Sequence, residues 1–225
     1  CLNFGNPEKP DVMWQLVRAI EGMGAACRAL DVPITGGNVS LYNETDGRAV
    51  LPTPVLGVVG LIDDADRIAR RTFQAADDVV VLLGESRAEL GGSEYLKVIH
   101  GLVRGVPPAL DLAREAALQR LLVEGIAAGV IRSAHDCAEG GFAIALAECC
   151  FDTALGVSVD ISAVAASEAS FADIATLFSE SASRVVVSVT SSGLADLLDR
   201  AAAANVPAVR IGAVGGTRIL IAVDG

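Results

Sequence analysis

The sequence predicts an α/β (α+β) fold. Apolar runs of strand length alternate along the chain with segments of helical periodicity. The composition agrees: 52% of the 225 residues are hydrophobic but only 4% are aromatic, so Ala, Val, Leu and Gly must fill the core. That balance favours packed helices on a sheet over a β-sandwich or a disulfide scaffold. With 20% charged residues, the chain suits one large domain or two small ones.

Residues 1–10, rich in Asn, Gly and Pro, form a loop. Val12, Met13, Leu16, Val17, Ile20, Met23 and Cys27 then recur at helical spacing. They predict a helix from an Asp11 N-cap to about Leu30, with Pro10 just ahead. Ile34 to Asn43 is a β-prone run holding a glycine pair, and Thr45-Asp46-Gly47-Arg48 is a turn. Pro54 to Ile62 is apolar and bounded by turns, which predicts a buried strand.

The charged segment Asp63 to Asp78 marks a boundary, and Val79 to Leu83 opens a new unit as a strand. A helix follows Leu90-Gly91-Gly92-Ser93 and runs to about Val103; a second spans Leu110 to Ala128. Val130 to Asp136 leads into a glycine turn, and Phe142 to Cys150 is helical. Gly156 to Ile161 and Val185 to Val189 are strands, with a helix at Leu194 to Ala204. Val206 to Val214 and Arg218 to Val223 close as strands paired around Gly215-Gly216.

A net charge of −11 argues against nucleic acid as a partner, because such a surface repels a phosphate backbone. It leaves room for a small phosphorylated ligand, which needs only local amides, a cation or an arginine. No apolar run reaches the ~20 residues of a membrane helix, and no secretory signal is visible. Cys1, Cys27, Cys137, Cys149 and Cys150 are odd in number and form no CxxC pair. They read as reduced thiols of a cytoplasmic protein. The chain opens at Cys1 without methionine, from which a fragment of a longer protein is expected rather than a processed cysteine nucleophile.

Four segments can carry chemistry. In Gly36-Gly37-Asn38-Val39-Ser40 the glycines let backbone amides approach a phosphate, an Asn oxygen can bind magnesium, and a hydroxyl can reach phosphate or ribose. The same residues also make an ordinary turn. Ser133 to Gly141 sets Asp136 at a strand end before Gly140 and Gly141 at a helix entrance, with Glu139 between. This suits a metal-bound phosphate, with Asp136 as magnesium ligand and Glu139 as a second, or simply a capped helix. Gly92 and Ser93 can hold a nucleotide at the next helix start or act as turn and N-cap. The hydroxyls, Glu180 and Arg184 of the turn after Phe178 can read a polar substrate or form a solvated loop. His135 beside Cys137 suggests zinc, but the only other histidine is His100, so a buried or capping histidine is expected.

Taken together these phrases resemble one family. CLNFGNPEKPDVMW, ITGGNVSLYNET and PTPVLGVVGLIDD are similar to the second ATP-binding half of the synthetase subunit of phosphoribosylformylglycinamidine synthase. LGGSEYLKVIHG, SAHDCAEGGFAIALAE and LFSESASRVVVSV are similar to its last domain. The resemblance implies the truncated tail of an AIR-synthase-type N-terminal domain over 1–65 and an AIR-synthase-type C-terminal α/β domain over 76–225. It implies an ATP-dependent C–N ligase of purine biosynthesis, using ATP and magnesium to convert formylglycinamide ribonucleotide and ammonia to formylglycinamidine ribonucleotide through an iminophosphate.

By the same resemblance Gly37 contacts ATP, Asn38 binds magnesium and Ser40 contacts the ribonucleotide. No general base falls in this chain. Asp136, Glu139, Gly140, Gly141, Gly92 and Ser93 would line a second nucleotide pocket, structural rather than catalytic. Ala182 departs from the glutamine of the family's first-half loop. The implied partners are the remainder of the subunit, a glutaminase and a small bridging subunit that supply ammonia. Alone, the piece is expected to be inactive and to self-associate. A sister ATP-dependent enzyme of the same fold, or a non-catalytic scaffold half that docks a glutaminase, are the alternatives.

Overall fold

The computed structural model describes residues 1–166 and 171–223, and the chain divides into two compact units, Cys1–Asp63 and Asp64–Gly225. In the first, strand β1 (Leu2–Asn3) lies between β2 (Val39–Ser40), to which it is parallel, and β5 (Thr53–Pro54), to which it is antiparallel. Helix α1 (Pro10–Leu30) connects β1 to β2. It starts one residue before the predicted Asp11 cap: Lys9 is the N-cap, without a side-chain bond, and Asp11 lies in the first turn. Proline explains the shift, since it has no N–H to leave unpaired at the first helical position and its φ is already helical. Asp31, in the left-handed region, ends the helix.

A short ladder, β3 (Glu44–Thr45) with β4 (Arg48–Ala49), turns through Asp46 and Gly47, both at positive φ. The predicted strand over Pro54 to Ile62 does not form. Pairing beyond β5 stops at Val55, bonded to Cys1, and Val59 and Leu61 are 97% and 89% exposed. Hydrophobicity alone does not make a strand: β1 is two residues long, both its edges are taken, and 56–62 finds no partner among the described residues.

The second unit is built on a six-stranded sheet in the order β11-β8-β10-β6-β9-β7. These are β6 (Val79–Leu83), β7 (Ile131–Asp136), β8 (Val157–Asp160), β9 (Val185–Val189), β10 (Ala208–Val214) and β11 (Ile219–Ala222). Every neighbouring pair is antiparallel except β11 with β8. Among the described residues five α-helices accompany the sheet: α2 (Glu94–His100), α3 (Leu112–Ala127), α4 (Gly141–Cys149), α5 (Ala172–Phe178) and α6 (Leu194–Ala203).

Strand alternation sorts the core into two layers. Val80, Leu82 and Val186 pack with Phe142 and Leu146 of α4. Val79, Val81, Val185 and Val187 pack with Leu118 and Leu121 of α3 and Leu197 of α6. All five residues of β6 and of β9 are buried, because helices cover both faces.

Three expectations change. The helix predicted to Val103 is only Glu94–His100, stopped by Gly101 in the left-handed region. The last two strands do not pair with each other; β8 lies between them, parallel to β11 and antiparallel to β10. Gly156 makes this insertion possible, since its amide bonds Gly216 and a Cβ there would stand 2.3 Å from the Arg218 carbonyl. Helix α5 is unforeseen, although Phe171, Ile174, Ala175 and Phe178 already have helical spacing.

Candidate functional site

The first unit brings two polar phrases side by side. The amide of Leu2 donates to the Asn38 carbonyl at 2.8 Å, and that of Phe4 to the Ser40 carbonyl at 3.1 Å. Asn43 clamps the same turn, donating from Nδ2 to the carbonyls of Phe4 at 3.1 Å and Ser40 at 2.9 Å, and to Ser40 Oγ at 3.0 Å. Phe4 is fully buried.

Gly36 and Gly37 stand outside this clamp. A Cβ at either would find nothing within 4 Å, and neither has a left-handed φ. Neither packing nor backbone conformation therefore requires glycine at these positions. Asn38 is exposed and Ser40 half-buried. Gly37, Asn38 and Ser40 thus lie on one short segment with anchored carbonyls.

In the second unit three loops meet where α2 and α4 begin. Ser93 caps α2, its Oγ accepting from the Leu96 amide at 3.3 Å and donating to the Leu90 carbonyl at 2.6 Å. Gly91 and Gly92 serve a chain crossing: the Gly92 amide bonds the Arg104 carbonyl, and a Cβ on Gly91 would sit 2.0 Å from that of Val106. Asp136, at the end of β7, and Glu139 are both exposed. Gly140 caps α4 and Gly141 opens it, at φ +80 and +72, and a Cβ on Gly141 would strike the Ser179 carbonyl at 2.4 Å.

The turn after α5 joins these loops. Glu180 Oε1 accepts from the Glu94 amide at 2.8 Å and from the Gly140 amide at 2.9 Å, one oxygen serving the start of two helices. Tyr95 and Phe178 stack beside it, with ring centroids 5.2 Å apart. Glu115, Asp136 and Glu180 border an acidic hollow of about 390 Å³ between α3, the β7–α4 loop and this turn.

The solvated-loop alternative for this turn fails: Ser179, Ser181 and Arg184 are 0%, 1% and 2% exposed. The Arg184 guanidinium donates to the carbonyls of Ser181 and Ser179 and to Ser86 Oγ, and burial lowers its pKa. It braces the turn that presents Glu180. His135 has both ring nitrogens beside carboxylates, Nε2 at 2.6 Å from Glu148 and Nδ1 at 3.3 Å from Asp136. Burial pushes the Cys137 thiol up to about 11 and that of Cys149 to about 12, so neither is a thiolate near neutral pH.

Sequence reasoning singles out the turn that holds Glu180 but misses the role of that residue. Its sequence neighbourhood marks an acid in a serine-rich turn; nothing there shows that two helix starts, forty and more residues away, converge on it.

Residues 75–224 match the family described as AIR synthase related protein, C-terminal domain, and residues 1–62 match the corresponding N-terminal domain. Two relatives are named phosphoribosylformylglycinamidine synthase subunit PurL. That of Anaeromyxobacter dehalogenans (strain 2CP-C) is 46% identical over 98% of this chain and 30% of its own length. That of Moorella thermoacetica is 48% identical over 100% of this chain and 30% of its own length. The chain therefore spans about 30% of the curated relatives it matches. Among solved structures, Thermotoga maritima PurL complexed with FGAR superposes with a TM-score of 0.71 at 18% identity, covering 90% of this chain and 34% of that one. Escherichia coli HypE, a hydrogenase maturation protein, gives 0.63 at 16% identity, covering 93% and 65%. At these identities the superpositions show the fold alone. The C-terminal-domain match by itself takes in well over half of the residues, and the chain belongs to the AIR synthase related family.

Proposed function

We propose that this chain works as part of the synthetase subunit of phosphoribosylformylglycinamidine synthase, in the cytoplasm, amidating formylglycinamide ribonucleotide in purine biosynthesis. The observation that carries this is the open glycine pair. Gly36 and Gly37 meet nothing that demands glycine, yet sit directly before Asn38 and Ser40 on an anchored segment. Identity of 46–48% to PurL subunits along the whole chain supports the same reading.

On this proposal the Gly37 amide approaches ATP, the Asn38 side-chain oxygen takes one magnesium position, and Ser40 Oγ, held by Asn43, meets the ribonucleotide. No group of three or more His, Cys, Asp or Glu side chains among the described residues can hold a metal. Magnesium here would take its other ligands from phosphate oxygens and water, as it commonly does. When bound, ATP with magnesium supplies the phosphoryl group and spreads its charge. Ammonia would come from a glutaminase with a small bridging subunit; a complex named PurLQS is known from Thermotoga maritima.

The test is made in a subunit carrying this sequence, assayed with its glutaminase. Asn38→Ala is expected to lose at least ~10-fold in activity, with its thermal midpoint unchanged. Ser40→Ala should raise KM for the ribonucleotide and leave that for ATP alone. Full activity in both variants would sink the reading.

A second reading rests on a separate observation. One amide at the entrance of each of α2 and α4 is already taken by Glu180, which favours a structural role for the second unit. Asp136, Glu139, Gly140, Gly141, Gly92 and Ser93 would then border a pocket outside the reaction, and the unit would act as a scaffold. In the same assay Asp136→Ala would keep full activity.

A further inference from the structure

We propose that Glu180 is a built-in anion: its carboxylate stands where a phosphate would stand at the entrance of α4, and closes that entrance to phosphate in the native chain. The proposal holds independently of which reaction the parent protein performs.

The entrance has the glycines and amides that anion sites use. Its Gly140 and Gly141 amides are nevertheless already taken, the first by Glu180 and the second by the Ala138 carbonyl. Glu180 Oε1 lies 2.8 Å from the Glu94 nitrogen and 2.9 Å from the Gly140 nitrogen, so both amides that converge there already have an ionic acceptor. The space beside it is occupied by backbone, since a Cβ on Gly141 would come within 2.4 Å of the Ser179 carbonyl and 3.0 Å of Phe178 Cα. A phosphate, with oxygens on every side, has no comparable room.

Nor can the carboxylate readily swing out. Ser179 and Ser181, on either side, are fully buried, and Arg184 ties down both of their carbonyls. The Tyr95–Phe178 stack fixes the other side of the same turn. The surrounding charge also opposes an arriving anion. Asp136 and Glu115 border the adjoining hollow; Lys97 is paired with Glu94 at 2.7 Å, and the Arg184 guanidinium, which also borders the hollow, is committed to the carbonyls of Ser181 and Ser179 and to Ser86 Oγ.

Replacing Glu180 should therefore create a vacancy that a free anion fills. Wild type, Glu180→Ala, Glu180→Gln and the core control Leu197→Ala are melted in potassium phosphate and in potassium chloride of equal ionic strength. Glu180→Ala should melt lower than wild type and gain ~3 °C more in phosphate than in chloride. Wild type and Leu197→Ala should share only the smaller gain that phosphate, a kosmotrope, gives any folded chain. A wild type that gains as much as Glu180→Ala overturns the proposal, as does a Glu180→Ala that gains no more than the control. Should Glu180→Ala fail to fold, Glu180→Gln keeps one acceptor oxygen without the charge. Its Gly140 and Glu94 amide resonances should then shift together relative to wild type; unmoved resonances overturn the proposal.

Discussion

At Gly141 a single added methyl would strike the Ser179 carbonyl, whereas at Gly37 it would meet nothing. The two residues look alike in the sequence, each in a Gly-Gly pair beside polar neighbours, and only the fold separates them. Gly141→Ala combines a left-handed φ with a backbone clash and is expected to cost more than ~2 kcal/mol. Gly37→Ala should leave stability unchanged, because neither φ nor packing opposes it. Urea unfolding of both variants checks this; equal losses would mean that Gly37 is also structural. Ser93 shows what a sequence can reveal at this scale, for a serine after two glycines and before a helical run is a cap wherever it occurs. Glu180 shows the opposite case, because its partners are set by the approach of separate helices, which no local pattern encodes.

Helices and strands were legible where burial imposed a period. The valine runs of β6 and β9 and the helices α3, α4 and α6 follow the sequence pattern within a residue or two. The pattern misled over residues 54–62, where the apolar run beyond Val55 has no neighbour to bond among the described residues, and at the last two strands, where adjacency in sequence does not imply pairing. A pH effect belongs to this level, because β6 enters the sheet directly from Asp78. That residue is 2% exposed; Oδ1 meets Arg132 at 2.9 Å, and buried Oδ2 finds no partner within hydrogen-bond geometry among the described residues, the Ala75 amide being the backbone group that acts on the carboxylate. Burial raises its pKa above the ordinary aspartate value, against the pull of Arg132. The folded chain then binds the proton more tightly than the unfolded chain, so this group's contribution falls as pH rises from the ordinary aspartate value through the raised one. Measured by urea unfolding, wild type should lose stability relative to Asp78→Asn across that window and hold a constant difference above it. A difference independent of pH would show that Asp78 does not titrate there.

For the molecule as a whole, the two units differ in how much apolar surface they cover. In the first, only Val12 of α1 is buried, while Trp14 is 61% and Ile20 50% exposed, and Val59 is almost wholly exposed. Such surface favours association, and the chain by itself is expected to self-associate through residues 1–65. Light scattering should show a mass that rises with concentration, and Ile20→Glu with Val59→Glu should reduce it; a wild-type monomer at all concentrations would contradict this. The second unit encloses a large core while leaving Val98, Val103, Val106 and Val123 exposed, and its strand order has a cost in time. Strand β6 is the first of that sheet to be synthesised, yet its two neighbours are residues 185–189 and 208–214. During translation Val79 to Leu83 must therefore wait, unpaired, while nearly all the rest of the unit leaves the ribosome. Loop closure over such sequence distance is slow, and a nascent chain halted before residue 185 would present that valine-rich segment to chaperones or to its neighbours on the polysome.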